Sequence, residues 1–184
     1  MGGLVDGQAI AFLLINLVGG VAVIGSYVLG LRGASGGASA LWGGVSERLR
    51  PVYTLSMVLS AAGYLAVLFL ILFKLDPGEV TIGGRSGFAL LYPTFLLILL
   101  PSAAWMPLTR RHVSEPRTGT WVAVRVVLLV VGLASIALVW ALSTLEPGNQ
   151  GAAYWVAVVG SIYFAFHTFV LDAILWAALF RRRS

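Results

Sequence analysis

The chain has 184 residues, 59% of them hydrophobic and 10% charged, with a formal charge of +5. A soluble domain carries about 25% charged residues, and a chain this size cannot hide so much apolar surface in one aqueous core. The absence of cysteine excludes disulfides, thiolate metal sites and a cysteine nucleophile. The basic residues lie beside hydrophobic blocks, so the expected partners are the lipid bilayer and its anionic headgroups, not nucleic acid.

A helix that spans a bilayer needs roughly 20 apolar residues, and five such blocks follow one another. The fold class expected is therefore an all-α integral membrane protein, a single domain over residues 1–184 built as a bundle of five transmembrane helices. The first block covers residues 9–31. The segment before it carries Asp6 and no basic residue, unlike a cleavable signal, so this block is expected to remain as a helix. The second covers 52–75, with Pro51 at its start, where a missing N–H costs little. The third covers 88–109, the fourth 120–145 and the fifth 152–180. The joints are rich in Gly, Pro and charge, including Asp76-Pro77-Gly78 and Glu146-Pro147-Gly148.

Counting Lys and Arg gives the bundle a direction. Arg32, Arg48, Arg50, Arg110, Arg111, Arg117, Arg181, Arg182 and Arg183 fall on one side, and only Lys74 and Arg85 on the other. The N-terminus is expected outside and the C-terminus in the cytoplasm of a bacterial-type inner (plasma) membrane. Arg110, Arg111, Arg181, Arg182 and Arg183 are the expected contacts to anionic lipid. Tryptophan favours the interfaces. Trp155 and Trp176 are 21 residues apart, or roughly 31 Å along a helix. Trp121 and Trp140 bracket the fourth block, and Trp105 fits the inner belt of the third. Leu75-Asp76-Pro77-Gly78 and Leu145-Glu146-Pro147-Gly148 stand 70 residues apart. They are read either as a tandem repeat of a helix pair or as two ordinary turns.

Ionisable groups inside a membrane are expensive and so become functional suspects. Arg125 and Asp172 lie at nearly equal depth on neighbouring helices, which predicts a buried ion pair between them. Such a pair reads as a clamp, or with Arg125 snorkelling to the interface, or as a gate. His167 lies near mid-bilayer, five residues before Asp172, or roughly 140° away around an α-helix. The two are expected on different faces. His167 reads either as a neutral histidine bonded to another helix or as a ligand- or proton-binding group. Pro101 frees the carbonyl of Leu97 within the third block, and Ser102 follows it. Pro101, Ser102, His167, Tyr163, Asn16 and Tyr92 are the candidates to line a central ligand pocket.

Three stretches resemble one family. Trp42 to Pro51 sits where the TspO/translocator-protein family has its first loop. Gly63-Tyr64 is similar to that family's Leu-Tyr. Ser102-Ala103-Ala104-Trp105-Met106-Pro107 resembles its Asn-x-x-Trp-x-Pro, with serine in place of asparagine. The paired prolines of the family's first loop and the asparagine pattern of its fifth helix are absent here. The resemblance implies a five-helix bundle with a cavity for lipophilic ligands such as porphyrins and sterols.

The function expected is a non-enzymatic membrane protein that binds or translocates a small lipophilic ligand within the bundle. The alternative is a small accessory subunit of a larger membrane complex, and a homo-oligomer fits either. An enzyme is the third reading, since no triad, metal set or cofactor motif is legible.

Overall fold

The computed structural model of the chain describes residues 2–32, 38–146 and 151–180. Arg181, Arg182, Arg183, Pro147 and Gly148 lie outside the described residues. Five helices are long and apolar enough to cross a membrane. They are α1 (Gly2–Arg32), α2 (Arg50–Phe73), α3 (Phe88–Ser114), α4 (Thr118–Ser143) and α5 (Ala152–Leu179). Pro51 sits in the first turn of α2, where its fixed φ suits helix initiation. The α3 helix continues through Pro93, Pro101 and Pro107 and takes in Arg110, Arg111 and His112. It stops just before Pro116, consistent with the bias of pre-proline residues against helix.

The helices form a ring. The α1 helix packs on α3, α3 on α4, α4 on α5 and α5 on α2, whereas the backbones of α1 and α2 barely approach one another. The ring is therefore sealed on four sides and thin at the α1–α2 seam. Between helices in lipid there is little hydrophobic driving force, so close approach of small residues matters most. The tightest example is the α2–α5 crossing, where a Cβ built on Gly160 would lie 2.8 Å from the Gly63 Cα.

One end of the bundle carries a structure that an all-α reading omits. Strands β1 (Thr81–Ile82), β2 (Arg85–Ser86) and β3 (Leu145–Glu146) form a small antiparallel sheet in the order β2-β1-β3. Thr81 faces Ser86 on one side and Glu146 on the other. Gly83 and Gly84 close the β1–β2 hairpin at φ +58° and +71°, the conformation a two-residue type I′ turn demands. Val80, Ile82 and Leu145 are buried beneath it, so the sheet caps the bundle. We call this the sheet end, and the opposite one, with Arg32, Arg50, Arg110, Arg111 and Arg117 at its helix termini, the arginine end.

The repeat reading is not supported by the packing. The α4–α5 pair is in close contact, while α2 and α3 do not form an equivalent pair. Leu145–Glu146 is a strand, whereas at the matching position Asp76 Oδ1 accepts from the Gly78 N–H at 2.9 Å in a local turn.

Two clusters make the core. The larger fills the sheet-end half around Phe12, Phe88, Phe95, Leu70, Ile71 and Leu138. The smaller lies at the arginine end and is aromatic. Trp176 is only 3% exposed, and its ring meets Phe180 at 4.7 Å, Trp105 at 5.6 Å and Trp121 at 6.2 Å. The belt expected there is thus an inward-facing plug. At the sheet end Trp140 and Trp155 do face outward, each 53% exposed.

Candidate functional site

The α5 helix changes pitch within its span. After Ala165 the segment Phe166–Trp176 is a π-helix, bonded i→i+5 instead of i→i+4. Residues five apart then stack one above the other. His167 and Asp172 are such a pair, and His167 Nε2 lies 3.5 Å from Asp172 Oδ2. The expectation that they occupy different faces is overturned by this change of period.

The π segment is held from both neighbours. On the α2 side, Tyr53 donates to the Leu171 carbonyl at 3.3 Å, and Ser56 Oγ lies 2.9 Å from His167 Nδ1. On the α4 side, Thr168 Oγ1 lies 3.0 Å from Ser135 Oγ. Tyr163 donates to Ser56 Oγ at 3.0 Å. The Ser56 hydroxyl thus bridges Tyr163 and His167 Nδ1, and Nε2 on the other side of the ring faces Asp172. A line of polar groups, Tyr163–Ser56–His167–Asp172, thus crosses the α2–α5 interface inside the bundle.

The expected Arg125–Asp172 pair is not formed. Among the described residues Arg125 makes no ion pair. It is exposed on the outer side of α4, in a shallow groove with Val122, Val126, Leu129 and Ala173. The equal-depth argument fixed height but not azimuth, and the two side chains point to opposite sides of the bundle wall.

His167 and Asp172 open onto a cavity of about 240 Å³ lined also by Tyr27, Ser60, Ser102 and Trp105. A second hollow of about 380 Å³ continues it toward the sheet end, where Asn16 and Tyr64 stand. Val23, Ala61, Ser102 and Phe164 line both, so the two adjoin, and together we call them the passage. Its long wall runs beside the thin α1–α2 seam. The tie across that seam is the hydrogen bond from Tyr64 OH to Asn16 Oδ1, 2.6 Å, while Asn16 Nδ2 donates to the Phe12 carbonyl at 2.8 Å.

Three of the six pocket candidates, His167, Ser102 and Asn16, line this passage. Pro101 and Tyr92 do not. The Tyr92 hydroxyl is engaged by the Gln8 carbonyl at 3.1 Å. Ser102 Oγ donates to the Ile98 carbonyl at 2.6 Å, not to the carbonyl freed by Pro101, and Leu97 itself is exposed on the outer face. Tyr163 lines an outward-facing groove between α2 and α5 instead, with Trp155 and Gly160. Sequence reasoning missed Tyr27, Ser56, Ser60 and Ala61. The available signal for Ser56 and Ser60 was their i, i+4 spacing on a spanning helix, where hydroxyls seek partners on a neighbouring helix.

The arginine end carries its own polar order. Arg110 donates to the Leu29 carbonyl in the last turn of α1 at 3.2 Å, a favourable place for a cation. Arg117 pairs with Glu115 at 3.0 Å, and Arg50 approaches Glu47 at 3.9 Å. Arg111 is exposed. His112 is buried, with Nδ1 3.0 Å from Thr120 Oγ1 and its ring 5.3 Å from that of Trp121. No group of three or more potential metal ligands occurs among the described residues.

No protein-family model matches the chain, and no curated protein and no solved structure matches it either.

Proposed function

We propose that the chain is an integral membrane protein that binds or moves a small lipophilic molecule through the passage between its helices. The observation that supports this most is the passage itself. Its larger hollow, about 380 Å³, falls in the volume range of small-molecule sites, roughly 300–1,000 Å³. The walls of that larger hollow are mainly Val, Leu, Ile, Ala and Phe, with Asn16 and Tyr64 at one end and Ser102 where it meets the smaller hollow. The thin seam between α1 and α2 offers a lateral route from the bilayer.

The resemblance to the TspO/translocator-protein family supports the same reading. Tyr64, Ser102 and Trp105, all from the segments that carry the resemblance, line the passage. The excess of arginine at one end supports an orientation with that end in the cytoplasm.

The test is purification of the full chain in gentle detergent, followed by mass spectrometry under native conditions. A bound lipophilic mass is expected in the wild type and its loss in Ala61→Trp, which fills the junction of the two hollows. An empty passage together with a stoichiometric partner chain would overturn the reading in favour of a subunit role.

A further inference from the structure

The arginine-end hollow has more polar capacity than its own partners use. Ser60 is 3% exposed and lines it, yet its hydroxyl has no hydrogen-bond partner among the described residues. The Tyr27 hydroxyl is also without one. Trp105 Nε1 is buried and unpartnered. Asp172 has a side chain 28% accessible, and its ion-pair contact among the described residues is His167 Nε2 at 3.5 Å. Trp105 Nε1 is a fully buried orphan, which costs about 1–3 kcal/mol, and Ser60, Tyr27 and the part-exposed Asp172 add polar capacity to the same hollow, a place shaped for a guest with a polar head.

The identity of that head follows from charge. The ring facing Asp172 is that of His167, buried and held at Nδ1 by Ser56. No Lys or Arg lines the hollow, and Arg125 faces the other side of α4. A carboxylate in apolar surroundings is costly without a cation. Beside it stand the rings of Trp105 and Tyr27, 5.5 Å apart and tilted by 48°. Carboxylate and electron-rich ring faces together are the chemistry that recognises an organic ammonium. The apolar continuation toward Asn16 and Tyr64 then receives the hydrocarbon body.

Resting on the passage as a ligand site, we infer that the guest is a lipophilic amine, its ammonium on Asp172 beside the Tyr27–Trp105 ring pair and its body in the apolar hollow. Ser60 and His167 complete the shell around the head. The inference names a ligand class and gives Asp172 the role of its counter-ion.

The experiment uses the full chain in nanodiscs of zwitterionic lipid, with empty nanodiscs as the blank. Saturable binding of adamantylamine is compared with that of adamantanol, which has the same rigid body and a neutral head. The wild type is expected to bind the amine at least about tenfold more tightly, a difference of about 1.4 kcal/mol. Asp172→Asn is expected to lower the amine to the level of the alcohol while leaving alcohol binding unchanged. Trp105→Leu is expected to weaken the amine more than the alcohol. Equal binding of both probes in the wild type, abolished by Ala61→Trp, would overturn the ammonium assignment and leave the passage as a site. Failure of both probes to bind would overturn the ammonium assignment, and a copurified lipophilic mass that Ala61→Trp removes would still uphold the passage. The wild-type comparison needs no variant to fold, so it decides the matter alone.

Discussion

In the sheet-end half of the bundle, buried polar groups hold one another. Tyr64 donates to Asn16, Asn16 to the Phe12 carbonyl, Tyr92 to the Gln8 carbonyl and Tyr154 to the Leu142 carbonyl. Around them Phe12, Phe88 and Phe95 interlock, with ring centroids 4.7–5.7 Å apart, and a small sheet closes the top. In the arginine-end half, Tyr27, Ser60, Trp105 and Asp172 surround a hollow without a hydrogen-bond partner among the described residues, and Trp105 Nε1 and Thr109 Oγ1 are buried orphans. The first half is built for stability. The second bonds His167 and Thr168 to neighbouring helices but leaves other groups that face the passage unpaired, which is the pattern of a site whose groups are reserved for something else.

The contrast is sharpest where packing is densest. Phe95 is 0% exposed and sits against both Phe12 and Tyr64. Phe95→Ala should cost about 3 kcal/mol, the low end for a buried phenylalanine, because lipid adds little hydrophobic drive between helices. Thermal unfolding in a single detergent measures it. A loss near zero would mean that the sheet-end half is not the rigid part of the molecule.

A smaller effect is expected at the α2–α5 crossing. Gly63→Ala drives a methyl into the Gly160 carbonyl, and overpacking of this kind costs about 1–3 kcal/mol. Gly20→Ala is the companion change, since a Cβ there meets nothing within 4 Å. It lines the passage and should leave the unfolding midpoint unchanged or raise it slightly, because alanine favours helix over glycine. Equal losses at the two glycines would remove the distinction between a packed wall and an open one.

Much of this architecture was readable because apolar blocks of spanning length leave few alternatives. The helix ends moved by only a few residues, apart from the N-terminal extension of α1 and the continuation of α3 through Arg110, Arg111 and His112. The sheet was also signalled, by Gly83-Gly84 between two short β-prone pairs, but its third strand depends on Leu145–Glu146 arriving from a distant loop. The site was less legible. Its central pair required a period that α-helical counting does not contain: at 140° His167 and Asp172 part, and in a π segment they meet. Arg125 and Asp172 show the converse failure. Tryptophan spacing supplied their depth, while their azimuth came only from the way α4 packs on α5. The inner tryptophans themselves turned into the bundle, because three rings and Phe180 make a better plug with each other than a belt with lipid.

The finest test sets two serines of α2 against each other. Ser56 and Ser60 are one turn apart and equally buried, at 4% and 3% exposure. Ser56 receives the Tyr163 proton and bonds His167, so Ser56→Ala strands two partners and should cost about 1–3 kcal/mol. Ser60 strands none. It lines the hollow with no hydrogen-bond partner among the described residues, so Ser60→Ala should leave stability within about 0.5 kcal/mol of the wild type. Both are read by thermal unfolding of the ligand-free chain in the same detergent. If Ser60→Ala cost as much as Ser56→Ala, its hydroxyl would already be engaged, by ordered water in the hollow, and the arginine end would be a satisfied core like the other half. An unchanged midpoint with weakened adamantylamine binding would instead assign that hydroxyl to the guest.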